Sequence, residues 1–152
     1  MSSAVSATSS ARNPYTSGNF RVEIQGITAT SFSEVSGLEA SIDVVDYRAG
    51  DAKLNNERKL PGLNKFPDIT LKRGLTQDLS LWNWFNSAMA GNVNPTSVAI
   101  SLLDQADNVV LTWRFRNAWP CKWTGPALAA GSSEVAIEAL EICHEGLELA
   151  AS

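Results

Sequence analysis

The sequence predicts a mainly β domain, a sandwich or open barrel with one flanking α-helix. Three observations predict it. Apolar and polar residues alternate at period two in several short runs, the runs are separated by Gly-, Pro- and Asn/Asp-rich punctuation, and one stretch only, between Thr76 and Gly91, keeps apolar side chains at helical spacing.

In chain order, residues 1–18 are Ser/Ala/Thr-rich, with Pro14 and Gly18, and are expected to form a disordered arm ahead of one domain over 19–149. Phe20, Val22 and Ile24 alternate with Arg21 and Glu23 as in a half-buried strand, and Gly26 ends it. A second strand is expected over Ser31–Val35 and a third over Glu39–Tyr47, where Ile42 and Val44 flank Asp43. Arg48–Leu63 has no periodicity and contains Gly50, Asn55-Asn56 and Pro61-Gly62. It is expected to be a long loop or the tip of an extended hairpin, and long loops of this kind tend to carry function. Ile69 and Leu71 mark a short strand closed by Gly74.

The helix is expected to start at Thr76 as N-cap and to stop at Gly91. Leu79, Trp82, Phe85 and Met89 form one apolar stripe and Leu81, Trp84 and Ala88 a second, which predicts a helix covered on two sides by sheets or by a neighbour. Val98, Ile100 and Leu102, then a polar turn at Asp104–Asn108, then Val109, Leu111, Trp113 and Phe115 predict a hairpin. Ala118–Thr124 is expected to be another strand, with Pro120 restricting it to an edge or a bulge. In Ser133–His144 the glutamates recur at helical spacing, yet Val135, Ile137 and Ile142 favour a strand.

The 152 residues suffice for one domain with one core, needing neither disulfide nor metal. Charged residues make up 18% of the chain, low enough to suggest a surface that other subunits cover. The net charge of -4 argues against nucleic acid as the partner. Six of the twelve basic residues lie between Lys53 and Arg73, whereas Glu134, Glu138, Glu141, Glu145 and Glu148 crowd the end of the chain. These are two solvated faces, or two surfaces that meet across copies. The N-terminus has neither the basic start nor the apolar run of a signal peptide, and no stretch is long enough to span a membrane, so synthesis in the cytoplasm is expected.

No catalytic constellation is evident. His144 is the only histidine, and Cys121 and Cys143 lack CxxC spacing, so they are expected to be buried reduced thiols. Cys143 and His144 are adjacent and would point to opposite faces of a strand, which disfavours a nucleophilic pair. Asp43/Asp46 and Asp104/Asp107 are explained by solvation, and there is no phosphate-cradling or nucleophile-elbow motif. The sequence therefore implies no enzyme, no cofactor and no metal. Trp119 and Trp123, if exposed, would offer the stacking platform of a carbohydrate-binding sandwich; tryptophans at subunit contacts explain them equally well.

Several stretches together carry a resemblance. Asn19-Phe20-Arg21-Val22-Glu23-Ile24-Gln25-Gly26 and Phe32-Ser33-Glu34-Val35-Ser36-Gly37-Leu38-Glu39-Ala40 come first. Val45-Asp46-Tyr47-Arg48-Ala49-Gly50, Arg58-Lys59-Leu60-Pro61-Gly62-Leu63, and Ile69-Thr70-Leu71-Lys72-Arg73-Gly74 with the tryptophan-bearing helix follow. Asn117-Ala118-Trp119-Pro120, Glu134-Val135-Ala136-Ile137-Glu138 and His144-Glu145-Gly146-Leu147 complete the series. In this order the chain resembles the phage tail tube protein family, which includes tube subunits of extracellular contractile injection systems. The Ser-rich arm has no counterpart in that pattern.

The resemblance implies a tail-tube-like sandwich with a flanking helix and a structural role. Six copies would form a ring whose inner wall is a continuous sheet, and rings would stack into a hollow tube inside a contractile sheath. Baseplate and cap or terminator proteins would be partners, and an effector protein or DNA would be the lumen cargo, with no direct membrane binding. A ring-forming effector carrier of type VI secretion shares the fold and is the alternative. The length and charge of the 48–63 segment make Tyr47, Arg48, Lys53, Arg58 and Lys59 the expected contacts between rings.

Overall fold

The computed structural model describes residues 13–27, 31–47 and 58–152. Its elements, in order, are β1 (Phe20–Ile24), β2 (Glu34–Ser36), β3 (Ser41–Tyr47), β4 (Arg58–Lys65), β5 (Ile69–Gly74), α1 (Ser80–Met89), β6 (Thr96–Leu103), β7 (Val109–Thr124), β8 (Ile137–Cys143) and β9 (Gly146–Ala151). The predicted class holds: mostly strand, with a single helix among the described residues.

β7 organises the fold. Its first half pairs with β6 on one side and β9 on the other, and β1 extends that sheet beyond β6. Its second half pairs with β8, which leads on to β5 and β2. All these pairings are antiparallel. The two strands expected at Val109–Phe115 and Ala118–Thr124 are thus one strand that changes sheets. The bend falls where Asn117 takes a positive φ of 51° and the register slips between Pro120 and Lys122. Pro120 occupies a bulge, as a residue with no N–H must inside a ladder.

One core joins the two sheets. Val22, Ile24, Val98, Ile100 and Phe115 from the first meet Ile69, Leu71, Leu140 and Ile142 from the second, and Leu81 of α1 closes the cluster. Each such side chain contributes about 1.5–3 kcal/mol on burial. In β5 the alternation of buried and exposed positions follows the sequence pattern, as it does at Leu140 and Ile142 of β8, but at the start of β8 Ile137 is exposed and Glu138 is buried.

Some boundaries differ from expectation. β2 is a three-residue strand at Glu34–Ser36, shifted from Ser31–Val35, because only Glu34, Val35 and Ser36 find ladder partners on β5. Thr76 is not the N-cap. Its hydroxyl accepts the Asp78 N–H at 3.2 Å, Asp78 Oδ1 accepts the Ser80 N–H at 3.1 Å, and the helix begins only there. Two side-chain turns in succession hold the chain out of helical dihedrals. Gly91 does stand just past the helix end, at φ +92°. The second apolar stripe of α1 faces inward, with Leu81 buried and Trp84 packed on the core, while the first is half right: Phe85 packs on the core and Leu79 and Met89 stay exposed. The chain's own sheets cover one side of the helix only. Ser133–His144 contains a strand, β8, as favoured, and β9 follows it.

Candidate assembly surfaces

β3 and β4 form a two-stranded antiparallel sheet that joins neither of the others. The segment Arg48–Leu63, expected to be a long loop or the tip of an extended hairpin, is strand from Arg58 onward, and residues 48–57 lie outside the described residues. All eight residues of β4 are exposed, as are all of β3 but Asp43. Ile42, Val44, Val45, Tyr47, Leu60 and Leu63 are large apolar side chains left open to solvent. An isolated ribbon of two strands is marginal in water, and apolar side chains on it gain nothing until something covers them.

Of the five expected contact residues, three are described. Tyr47 pairs in register with Arg58, and Asp46 with Lys59, so Tyr47, Arg58 and Lys59 do gather at the outer end of the ribbon. Arg48 and Lys53 lie outside the described residues. No pairing within the chain occupies Arg58 or Lys59 among the described ion pairs.

The rest of the basic segment is used internally, which corrects the picture of one basic face. Lys65 pairs with Asp43 at 3.2 Å and Lys72 with Glu34 at 3.1 Å. Arg73 is buried, and its Nε bonds the buried carboxylate of Glu138. Its other nitrogens reach Asp78 Oδ2 at 3.0 Å and the Asp78 carbonyl at 2.8 Å. The N–H of Ser80 above all, and then Arg73, hold the Asp78 carboxyl below its ordinary 3.8. The cluster ties β5, β8 and the start of α1 together. Glu138 belongs to the acidic run read as a solvated or inter-copy face; in the favoured strand it instead turns inward against Arg73.

Groups with chemical potential are spent on structure. His144 is buried between Phe66 and Phe115, with ring centroids at 5.7 and 4.7 Å, and its Nδ1 lies 3.2 Å from the Gly146 carbonyl. Cys121 and Cys143 are free and half-buried. The Cys121 thiol lies 3.4 Å from Asp68 Oδ2, and burial first, then that negative charge, pushes its pKa up to about 12. A thiol so protonated is no nucleophile at neutral pH. Trp123 packs edge-on against Trp82 with centroids 5.0 Å apart, so the exposed platform that sugar binding requires does not form there.

The outer face of the β1-β6-β7-β9 sheet is polar. One register row across it reads Glu23, Ala99, Arg114, Glu148 and the next Arg21, Ser101, Thr112, Ala150. Arg21 pairs with Glu23 at 3.1 Å, and the hydroxyls of Ser101 and Thr112 lie 3.3 Å apart. A cleft of about 490 Å³ opens near Glu23, Arg114, Arg116 and Glu148. The Arg116 guanidinium lies across Gly146, where a Cβ would meet its Nε at 2.4 Å. Among the described residues no group of His, Cys, Asp and Glu is arranged to hold a metal.

The described residues thus form a bent β-sandwich with one helix and, beside it, a bare apolar ribbon. The family model described as "T4-like virus tail tube protein gp19" matches residues 16–148, and the chain belongs to that family: it is a tail tube protein. Its solved relatives agree. A chain of the sheath–tube complex of an extracellular contractile injection system, PVC, in the extended state is 28% identical, with a TM-score of 0.85 over 96% of this chain and 97% of that one. A chain from the PVC sheath/tube terminator is 30% identical, with a TM-score of 0.82 over 92% and 99%. A chain from the tube-terminating cap of the anti-feeding prophage is 26% identical, with a TM-score of 0.83 over 93% of each chain. Hcp1 from Flavobacterium johnsoniae, at 13% identity and a TM-score of 0.53, is similar in fold alone. No curated protein matches.

Proposed function

We propose that copies of this chain close into hexameric rings, that the rings stack into the hollow inner tube of a contractile injection particle, and that the chain performs no catalysis. The observation that carries this reading is the β3–β4 ribbon, whose six large apolar side chains are left exposed among the described residues. A stacked copy supplies that cover. Tyr47, Arg58 and Lys59 then contact the next ring, together with Arg48 and Lys53 from the hairpin tip.

Relatives that occur in sheath–tube, terminator and cap complexes support a sheath, a cap or terminator and a baseplate as partners here too. The polar lining of one sheet face suits a wall along which an effector protein or DNA passes without sticking. No helix of the described residues is long and apolar enough to cross a membrane, and the proposed residence is a phage-tail-like particle assembled from cytoplasmic subunits.

The test is electron microscopy and light scattering of the wild-type chain beside an Arg58→Glu/Lys59→Glu variant. Both side chains are exposed, so melting should change by no more than about 0.5 kcal/mol. Wild type should form rings and tubes and the variant rings with few tubes. Equal tube yield would remove these residues from the ring–ring contact.

A further inference from the structure

The bulge in β7 brings two cysteines on different strands side by side. Trp119 stands opposite Cys143 and Pro120 opposite Ile142, but the next pair is Lys122 and Glu141, so Cys121 is the extra residue. In an unbroken ladder a residue two places along from Trp119 is a diagonal neighbour of Cys143, about 7–8 Å away. That is beyond a disulfide, whose Cα atoms lie roughly 4.4–6.8 Å apart. The bulge fits three residues, Pro120 to Lys122, against two, Ile142 and Glu141, and so draws Cys121 back towards Cys143.

The side chains converge as well. Cys121 Sγ reaches across to the Glu141 carbonyl at 3.4 Å, and Cys143 Sγ reaches across to the Trp119 carbonyl at 3.6 Å. Each sulfur leans over the other's strand, onto the carbonyl two residues before its neighbour. The two thiols are themselves in hydrogen-bonding contact. Cys143 alternates along β8 with the core residues Leu140 and Ile142, so the pair lies on the face turned away from the core, half-buried and free. Between the strands that carry it, residues 125–136 form neither strand nor helix, and Leu128 and Val135 there are exposed.

We propose that Cys121 and Cys143 are a dithiol that closes to an intrachain disulfide when the protein meets an oxidising medium, locking β7 to β8 at the base of the 125–136 segment. The oxidant is a small disulfide of the glutathione type. The thiolate of one cysteine attacks it and releases one small thiol, which leaves a mixed disulfide on the protein. The other cysteine attacks the protein sulfur of that mixed disulfide, and the second small thiol departs. Two protein S–H bonds and the S–S bond of the reagent break; one protein S–S bond and two S–H bonds on the released thiols form. The protein sulfurs are oxidised and those of the reagent reduced, and both protons leave with the small thiols.

The surroundings set the pace. Burial, and then the Asp68 carboxylate 3.4 Å from Cys121 Sγ, keep the thiols protonated at neutral pH, so the first attack is slow. The second is fast, because the attacking sulfur already stands beside its target. In a reducing cytosol the pair stays a dithiol. Once closed, the bond constrains the unfolded chain over residues 121–143 and stabilises the native one. The bond belongs to the single chain and does not rest on the tube reading.

The test uses the purified full chain, reduced and then held with oxidised glutathione at mildly alkaline pH, followed by mass spectrometry, peptide mapping and thermal melting. The expected product is a single chain lighter by about two mass units, with Cys121 linked to Cys143. It should melt roughly 5–10 °C above the reduced chain, and dithiothreitol should reverse the shift. Cys121→Ser and Cys143→Ser, treated in the same way, should each gain no stability. Thiols that stay free, chains that stop as glutathione adducts or link to one another, and an oxidised chain that melts no higher than the reduced one each overturn the proposal. So does a gain in stability by either serine variant.

Discussion

β5 and β4 lie a few residues apart in the chain and are both antiparallel strands, yet their surroundings are opposite. In β5, Ile69, Leu71 and Arg73 are buried, held between β2 and β8. In β4 no residue is buried, and β3 is its only strand partner among the described residues. Backbone hydrogen bonding alone makes a strand, whereas burial requires a second layer, and the described residues supply none to the ribbon. The sandwich holds the buried core, and in the proposed tube the ribbon is the surface that a stacked copy covers.

The same truncation at two leucines breaks the comparison most sharply. Leu140 is fully buried and Leu63 is 76% exposed. Leu140→Ala should cost about 2–5 kcal/mol in denaturant unfolding, and Leu63→Ala no more than about 0.5 kcal/mol, with the loss appearing instead in tube yield. A large stability loss at Leu63 in the isolated subunit would mean that the ribbon is covered within the chain.

The buried ion pair sharpens the picture next. Glu138→Ala leaves the Arg73 guanidinium without its main carboxylate and should cost about 3 kcal/mol, whereas replacing both partners by apolar residues of similar size should be far milder. Urea melts of the single and double variants measure this. A single variant as stable as wild type would show that Asp78 suffices to hold Arg73.

The smallest effect is at Cys121. Its pKa, about 12 when folded against an ordinary 9.0, means that the native state favours the protonated thiol. The resulting stabilisation is full below pH 9 and is lost as pH rises towards 12. Cys121→Ser should therefore flatten the alkaline limb of a melting-against-pH curve slightly, and the native thiol should react slowly with iodoacetamide at pH 8.

Much of the fold was legible because period-two alternation survives wherever one face meets the core. In β1, β5, the β6–β7 hairpin and the second half of β8 the core residues Val22, Ile24, Ile69, Leu71, Ile100, Phe115 and Leu140 sit at alternating apolar positions, whereas at the start of β8 Ile137 is exposed and Glu138 is buried. The start of α1 was misplaced because Thr76 and Asp78 use their side chains in successive turns, so the helix begins at Ser80 after Leu79, with no side-chain cap. β4 was hard to see since Pro61-Gly62 interrupts any periodicity, and β2 because three residues are too few to show one. Arg73 and Glu138, 65 residues apart, gave no local signal of their pairing.

The β class, a helix ahead of Gly91, the lack of a recognised catalytic motif in the sequence and the family were determined by local pattern and residue identity, which the sequence displays directly. The tertiary structure alone decided which charges neutralise one another, that β7 bends from one sheet into the other, and which edges stay open. Those depend on contacts between residues far apart in the chain, and no short-range periodicity encodes them.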